Sequence, residues 1–231
     1  LVFALGTLTG HPFAGSGRNS VGCKSPMTDG YGESEAGGFW GAELKRAGFE
    51  AIVIEGISAK PVYLWIKDGK AEIRDAGRLW GLATADTERA IREELGDPRI
   101  RTAVIGPAGE KRVRFACILN DVTHAAGRTG MGAVMGSKRL KAIAVRGGRL
   151  PEAADPGKLR ELNRWMMMNY KEKCRQWRYG TGSDMLGYEA NGNLPIRNFQ
   201  GGRFPGVEKI TAQVLCEKYV MKMDHCYGCP V

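Results

Sequence analysis

Gly127-Arg128-Thr129-Gly130-Met131-Gly132-Ala133-Val134-Met135-Gly136-Ser137-Lys138 is the stretch on which the reading of this chain turns. Glycines let a backbone approach a ligand and present N–H groups, and an adjacent Arg offers a fork for phosphate. The spacing Gly130-x-Gly132-x-x-x-Gly136 is a poor dinucleotide fingerprint. That motif needs a strand before it and a helix after it, and here Leu140 to Val145 is expected to follow almost at once as a strand. A phosphate loop of Walker type also fails, because Gly136-Ser137-Lys138 has its residues in the wrong order.

An earlier stretch has the same ingredients. Gly17-Arg18 is followed by Gly37-Gly38-Phe39-Trp40-Gly41, Lys45-Arg46 and Ala51-Ile52-Val53-Ile54-Glu55-Gly56. The later one runs Gly127-Arg128, Gly130 to Gly136, Lys138-Arg139 and Ala142-Ile143-Ala144-Val145-Arg146-Gly147. Each is Gly-Arg, glycines, Lys-Arg, then a strand closed by Gly, although the spacings differ. The differing spacings leave chance open; taken as a true repeat, the pattern implies an approximate internal dyad and suits a ligand carrying two phosphates or two phosphorylated halves. Spacing alone fits equally well with glycines in tight turns and arginines paired to carboxylates.

Between and around these stretches, residues 6–38 are rich in Gly, Ser and Pro and read as a long loop, a length that is often functional. Residues 39–49 read as a short helix with Leu44 and Ala47 inward, and Ala51–Ile54 as a buried strand, like Leu1–Leu5. Val62–Ile66 and Ala71–Arg74 alternate around Lys67-Asp68-Gly69-Lys70, which predicts a hairpin. Thr84 is placed to cap a helix to Leu95, with Asp86 and Glu88 in its first turn and Gly96 at its stop. Arg101–Ile105 and Arg112–Leu119 read as strands around a Gly-Pro-Ala-Gly turn. After the linker-like residues 147–157, Leu159, Leu162, Met166 and Tyr170 recur at helical spacing, and Met166–Met168 read as core filling.

Composition narrows the class. The chain has 231 residues, 43% hydrophobic, with 33 glycines and a net charge of +9. Residues 138–180 hold twelve Lys or Arg against four Asp or Glu. A basic surface favours anionic partners. No helix-turn-helix, zinc-finger spacing or RNP-type motif accompanies the charge, so nucleic acid is not expected. No apolar run approaches the ~20 residues that span a membrane. The six cysteines (23, 117, 174, 216, 226 and 229) are scattered and do not resemble a disulfide framework, so a reduced cytoplasm is expected. Cys226-x-x-Cys229 supplies two thiolates for an iron–sulfur cluster or zinc, half of either site. With that and the apolar first residues, we read the sequence as a piece of a longer protein.

At this level of detail the chain resembles the tungsten-dependent aldehyde:ferredoxin oxidoreductase family over its whole length. The residues that carry the resemblance are Leu8-Thr9-Gly10, Ser16-Gly17-Arg18, Lys24-Ser25-Pro26, Gly37 to Lys45 and Ala47-Gly48. Ile105 to Glu110, Asn120-Asp121, Ala125 to Arg128, Gly132 to Lys138, Asn198-Phe199-Gln200 and Cys226-x-x-Cys229-Pro230 complete the set.

The resemblance implies an α+β fold: an N-terminal domain (residues 1–150) of two β-sheets with internal pseudo-symmetry and short helices, its first strands missing. Residues 151–231 would begin a helical domain. It implies tungstopterin, a tungsten held by the dithiolenes of two pterins, with a magnesium ion (Mg2+) between their phosphates, and a [4Fe-4S] cluster. Arg18 is similar to the Arg between pterin and cluster. Glu35, Ala36 and Gly37 fall on the first pterin loop, where one carbonyl binds the magnesium; members often have Asn at Glu35. His124, Ala125, Gly127 and Arg128 fall on the second, with His124 where archaeal members have Arg. Cys226 and Cys229 match the first two cluster ligands. Cys23, Cys117, Cys174 and Cys216 match none and read as small buried residues.

The implied reaction is oxidation of an aldehyde substrate to a carboxylate, with electrons passing singly through the cluster to ferredoxin in the cytoplasm. A homo-oligomer or separate electron-transfer subunits are left open. The family's acid–base residues lie in later domains, so no catalytic residue is named, and the piece alone is expected to be inactive. Competing readings are a tungsten aryl-CoA reductase-type subunit, a non-catalytic iron–sulfur electron-transfer module, and a zinc-containing binding protein.

Overall fold

In the computed structural model of the chain the described residues are 1–222 and 224–229, without the side chain of Gln176. Pro230 and Val231, which close the cysteine motif, lie outside them. The chain divides into two compact units, Leu1–Pro156 with Cys226–Cys229, and Gly157–His225. The cysteine turn therefore belongs to the first unit.

Two sheets build that unit. The smaller is antiparallel, with strands β1 (Val2–Leu5), β2 (Asn19–Lys24), β3 (Tyr31–Ala36) and, after the seven-residue helix α1 (Trp40–Arg46), β4 (Ala51–Val53), in the order β3-β2-β1-β4. The larger contains β5 (Val62–Lys67), β6 (Lys70–Asp75), β7 (Arg101–Val104), β8 (Ile118–Asn120), β9 (His124–Ala126) and β10 (Leu140–Arg146), in the order β6-β5-β10-β7-β8-β9. Helices α2 (Thr84–Leu95), α3 (Pro107–Glu110) and α4 (Met131–Ser137) join its strands.

Strand β10 is central to the larger sheet and both its faces are covered, which is why Leu140 to Val145 reads as an unbroken buried run. Alternation then sorts the sheet into two cores. Ile66, Ala103, Ile143 and Val145 pack with Phe3, Val21, Trp40, Leu44, Met131 and Met135. Tyr63, Trp65, Val104, Ala142 and Ala144 pack on the other face with Leu79, Ile91 and Ile100. Trp40 ties α1 down: its ring lies 5.4 Å from that of Phe3, and Nε1 donates to the Ile143 carbonyl at 3.1 Å. Lys141 sits fully buried on β10, donating to the Leu82 carbonyl and pairing with Glu110, and burial pushes its ammonium pKa down.

The hairpin predicted at residues 62–75 is present, and both turn residues have positive φ (Asp68 45°, Gly69 84°), the geometry a two-residue hairpin demands. Leu44 and Ala47 are buried as expected, and Gly96 closes α2 in the left-handed conformation.

Other expectations are corrected. Residues 6–38 are not all loop: β2 and β3 form a hairpin within them. The pattern escapes notice because the inward residues of β3 are Gly32, Ser34 and Ala36. A Cβ on Gly32 would stand 2.8 Å from Ser25 Cβ and 2.9 Å from Thr129 Cβ, so nothing larger fits. β4 is an edge strand with Val53 exposed, and β1 is buried only at Phe3. Ala83, not Thr84, caps α2, and Glu88 is buried against the Thr102 hydroxyl at 2.7 Å. Gly106-Pro107-Ala108-Gly109 opens the short helix α3, and Arg112–Cys117 is a turn rather than strand, since its carbonyls approach α4: a Cβ on Gly132 would lie 2.4 Å from the Cys117 oxygen.

A helix, α4, does follow Gly130, against the sequence-based expectation. The dinucleotide reading still fails on topology: the pairings β10–β7, β7–β8 and β8–β9 are all antiparallel, so β9 and β10 run in opposite directions and β9-α4-β10 is not a βαβ unit. The two similar stretches each run strand, glycine turn, seven-residue helix, strand: β3-α1-β4 and β9-α4-β10. Gly127-Arg128 occupies the turn of the second, whereas Gly17-Arg18 precedes β2, one hairpin before the turn of the first.

Helix α5 (Pro156–Lys173) lies in the second unit from Gly157 onward and is followed by α6 (Met185–Ala190) and α7 (Ala212–Lys218), joined by 3-10 turns. Thr211 caps α7, its hydroxyl accepting from Val214 N–H at 3.3 Å. Met167 and Met168 are exposed and Met166 only half buried, so the methionines fill no core among the described residues.

Candidate functional site

Two cavities meet at Glu35. The larger, about 820 Å³, is lined by Glu33, Ser34, Glu35, Ala125, Gly127 and Arg128. The smaller, about 350 Å³, is lined by residues of β1 and of the loop after it, with Arg18, Asn19, Ser20 and Glu35. Strand β3 makes the partition. Its alternation turns Ser34 inward, where Oγ accepts from the Arg128 N–H at 3.1 Å, and leaves Glu33 and Glu35 exposed. Arg18 Nη1 stands 3.6 Å from Glu35 Oε2, both side chains more than half exposed. The Thr9 hydroxyl fixes the backbone there by donating to the Arg18 carbonyl at 3.0 Å.

Gly37 lies at the back of this partition. A Cβ there would be 2.5 Å from Cys226 Sγ and 3.4 Å from His124 Cδ2. The first loop, the second loop and the cysteine turn thus converge on one glycine. Two buried asparagines hold it: Asn120 Nδ2 donates to Asn19 Oδ1 at 2.8 Å and to the Gly37 carbonyl at 3.1 Å, linking the two sheets. Asp121 accepts from the N–H groups of Phe39 (3.0 Å) and Thr102 (3.3 Å). Burial pushes its carboxyl pKa up, opposed by those bonds and by the charge of Arg101. His124, on β9, keeps its Nδ1 2.9 Å from the Thr123 hydroxyl.

The cysteine turn is docked along its backbone. Cys229 N–H donates to the Cys226 carbonyl at 3.0 Å, Tyr227 N–H to Gly38, and Gly15 N–H to Gly228. A Cβ on Gly17 would lie 2.6 Å from the Tyr227 carbonyl. Tyr227 Oη donates to the Gly10 carbonyl and accepts from Arg46.

Of the residues expected from sequence, Arg18, Glu35, Ala125, Gly127 and Arg128 therefore line the cavities, and Gly37, His124 and Cys226 meet behind them; Ala36 is buried beside Gly37. Cys23, Cys117, Cys174 and Cys216 are half buried rather than fully buried. Asn19 and Tyr227 were missed; Asn120-Asp121 contributed to the resemblance, but without a role. Among the described residues no group of three or more His, Cys, Asp or Glu side chains is placed to hold a metal.

On one side the larger cavity offers an anionic group the Arg128 guanidinium and the open backbone at Gly127; its other side carries Glu33 and Glu35. Gly127 faces open space, its nearest would-be Cβ contact being Ala125 Cβ at 3.8 Å, and Arg128 stands beside it. A cluster would find two thiolates here, Cys226 and Cys229.

An α+β domain with paired glycine loops behind which a Cys-x-x-Cys turn is seated has close counterparts. Residues 1–147 match the N-terminal domain of aldehyde ferredoxin oxidoreductase, and residues 159–231 match domains 2 and 3. This chain belongs to the aldehyde ferredoxin oxidoreductase family. It is 44% identical, over its whole length, to the tungsten-containing aldehyde ferredoxin oxidoreductase of Pyrococcus abyssi, and 35% identical to the WOR-like subunit of the aliphatic sulfonate oxidoreductase of Pyrococcus furiosus. The chain spans 39% of the length of these relatives. Among solved structures it is similar to the active site complex BamBC of benzoyl coenzyme A reductase in complex with 1,5-dienoyl-CoA, with a TM-score of 0.82, 33% identity and coverage of 100% of this chain and 37% of that one. No helix among the described residues is long and apolar enough to cross a membrane.

Proposed function

We propose that this chain is the cofactor-binding portion of a cytoplasmic oxidoreductase that oxidises aldehydes to carboxylic acids and passes electrons to ferredoxin. The observation that carries the reading is the placement of Cys226 Sγ against Gly37, where the two cavities meet at the neighbouring Glu35. A cofactor in the cavities and a cluster on the cysteines would then be separated by little more than one backbone turn.

The tungstopterin, when bound, supplies the two-electron chemistry. This chain's own residues bind and orient it. Arg128 and the open backbone at Gly127 would take one phosphate. Arg18 would take the other pterin, released from Glu35 or sharing it, and reach toward the cluster. The backbone at Glu35, Ala36 and His124–Ala125 would offer carbonyls to Mg2+, while the Gly37 carbonyl is already engaged by Asn120. Cys226 and Cys229 would hold one edge of a [4Fe-4S] cluster, two further ligands coming from outside this chain. Asn19 and Asn120 keep the loops in register by joining the sheets.

The test is metal and pterin content of the full-length protein with aldehyde-dependent reduction of ferredoxin. Tungsten, pterin and about four iron atoms per protein with turnover support the reading; zinc alone would reject it. The likeness to the benzoyl coenzyme A reductase complex favours a second reading, an aryl-CoA reductase-type subunit. Aryl-CoA reduction without aldehyde oxidation would select it, and cofactor without either turnover would select a non-catalytic electron-transfer module.

A further inference from the structure

We propose that Arg46 is a built-in counter-charge to the metal centre on Cys226 and Cys229, coupled to it through Tyr227. The inference rests on the cluster reading above. Arg46 ends α1 and is half buried. Its Nη2 donates to Tyr227 Oη at 2.9 Å, and its guanidinium lies 5.0 Å from the centre of the Tyr227 ring. Its Nε is buried with no hydrogen-bond acceptor among the described residues. Of the basic residues near it, Lys45 pairs with Glu50, and Arg146 with Glu43 and Asp97. Arg46 makes no such ion pair among the described residues.

A guanidinium keeps its charge at any pH a protein survives. Removing that charge from water without an anion costs free energy, so a half-buried Arg with no ion pair among the described residues points to an anion that those residues do not supply. The residue that Arg46 grips sits between the two cysteines. Tyr227 is in turn immobilised: Oη donates to Gly10, N–H donates to Gly38, and its ring meets Phe39 edge-on at 6.2 Å. Phe39 is itself covered by the Arg101 guanidinium at 4.5 Å.

A cluster held by four thiolates is anionic and gains one further negative charge when it accepts one electron. A fixed cation nearby stabilises the reduced form more than the oxidised one. The guanidinium takes up no proton in that step. It acts on the potential, as a positioning and tuning residue, and not as a catalytic one.

The experiment is a redox titration of the cluster, followed by EPR, in full-length protein carrying Arg46→Met, Arg46→Lys or Tyr227→Phe. At a fixed potential, Arg46→Met should lower the ratio of reduced to oxidised cluster by about five- to tenfold, the effect of a unit charge at short range in a partly polar medium. Arg46→Lys should recover most of that loss, since the charge survives while the fork does not. Tyr227→Phe should shift the ratio in the same direction by less. An unchanged ratio in an iron-replete Arg46→Met protein would overturn the counter-charge. If Arg46→Met fails to retain iron, the Tyr227→Phe titration decides, and no shift there overturns it. A wild-type protein without iron would overturn the cluster reading as well, which separates the two failures.

Discussion

Gly127 and Gly130 stand three residues apart in one loop and are used in opposite ways. A Cβ on Gly130 would lie 2.0 Å from the Arg114 carbonyl and 2.8 Å from Pro26 Cγ, and its φ is +78°. The chain itself fills the space in front of that glycine. Gly127 needs no left-handed backbone and faces the larger cavity. The first loop repeats the contrast: Gly37 and Gly17 are pressed by the cysteine turn, while Glu35 is open to both cavities. A glycine-rich signature therefore mixes two constraints, close packing of the chain on itself and clearance for something else. Gly130 lies in the same glycine-rich stretch as Gly127, yet its close neighbour is the Arg114 carbonyl.

The comparison breaks most visibly at the packed glycines. Gly130→Ala, and still more Gly136→Ala, whose Cβ would fall 1.9 Å from the Gly109 carbonyl, should destabilise the first unit. Backbone cannot yield as a side-chain tip can, and the cost should be about 3 kcal/mol or more. Denaturant unfolding of the full-length protein measures it; a midpoint unchanged in both variants would mean that the close approach is not real. The converse substitution, Gly127→Val, should leave the unfolding midpoint within about 1 kcal/mol of wild type. Tungsten and pterin content should nevertheless fall to a minor fraction, because the new side chain occupies the cavity. Full cofactor occupancy in that variant would remove Gly127 from the binding surface.

Arg18 is expected to show a smaller version of the same split. Its contact with Glu35 is exposed, and such pairs contribute about 0–1 kcal/mol. Arg18→Ala should thus melt like wild type while aldehyde turnover drops more than tenfold, an effect on the order of 1.4 kcal/mol on the barrier. Equal turnover with tungsten intact would make Arg18 an ordinary surface cation.

How far the sequence carried the fold depended on whether a residue's partner was near in the chain. The hairpin at 62–75 was legible because alternation and Asp68-Gly69 are local facts. The hairpin at 19–36 was not, since its inward Gly32 and Ser34 are small for the sake of Thr129 and the Arg128 N–H, about a hundred positions away. Helix α4 was hidden by Gly132 and Gly136, which weaken helix propensity and are there so that α4 can touch Gly109 and Cys117. In the site, the glycine-rich stretches and Cys226-x-x-Cys229 announced themselves. Arg46–Tyr227 and Asn120–Gly37 are separated by 181 and 83 positions, and no periodicity reports contacts at that range.

The smallest expected effect lies on the face of the larger sheet away from the loops, and it tests whether that face behaves as a plain core. Tyr63 is buried against α2, its Oη donating to Glu94 Oε1 at 2.7 Å. Burial, then the Glu94 hydrogen bond and charge, raise the phenol pKa from 10.0 to about 12. The folded state therefore favours the neutral phenol more than the unfolded chain does. Its contribution to stability is complete below pH 10 and is lost progressively as the pH rises toward 12, where the unfolded chain ionises first. Arg74 and Arg78, which also approach Glu94, stay charged throughout this range. Tyr63→Phe should flatten this alkaline limb of the stability profile, measured by urea unfolding at successive pH values, while leaving cofactor content untouched. A profile as steep as wild type would assign the alkaline loss to other groups. A loss of tungsten would mean that the two faces of the sheet are coupled, contrary to the separation of its cores.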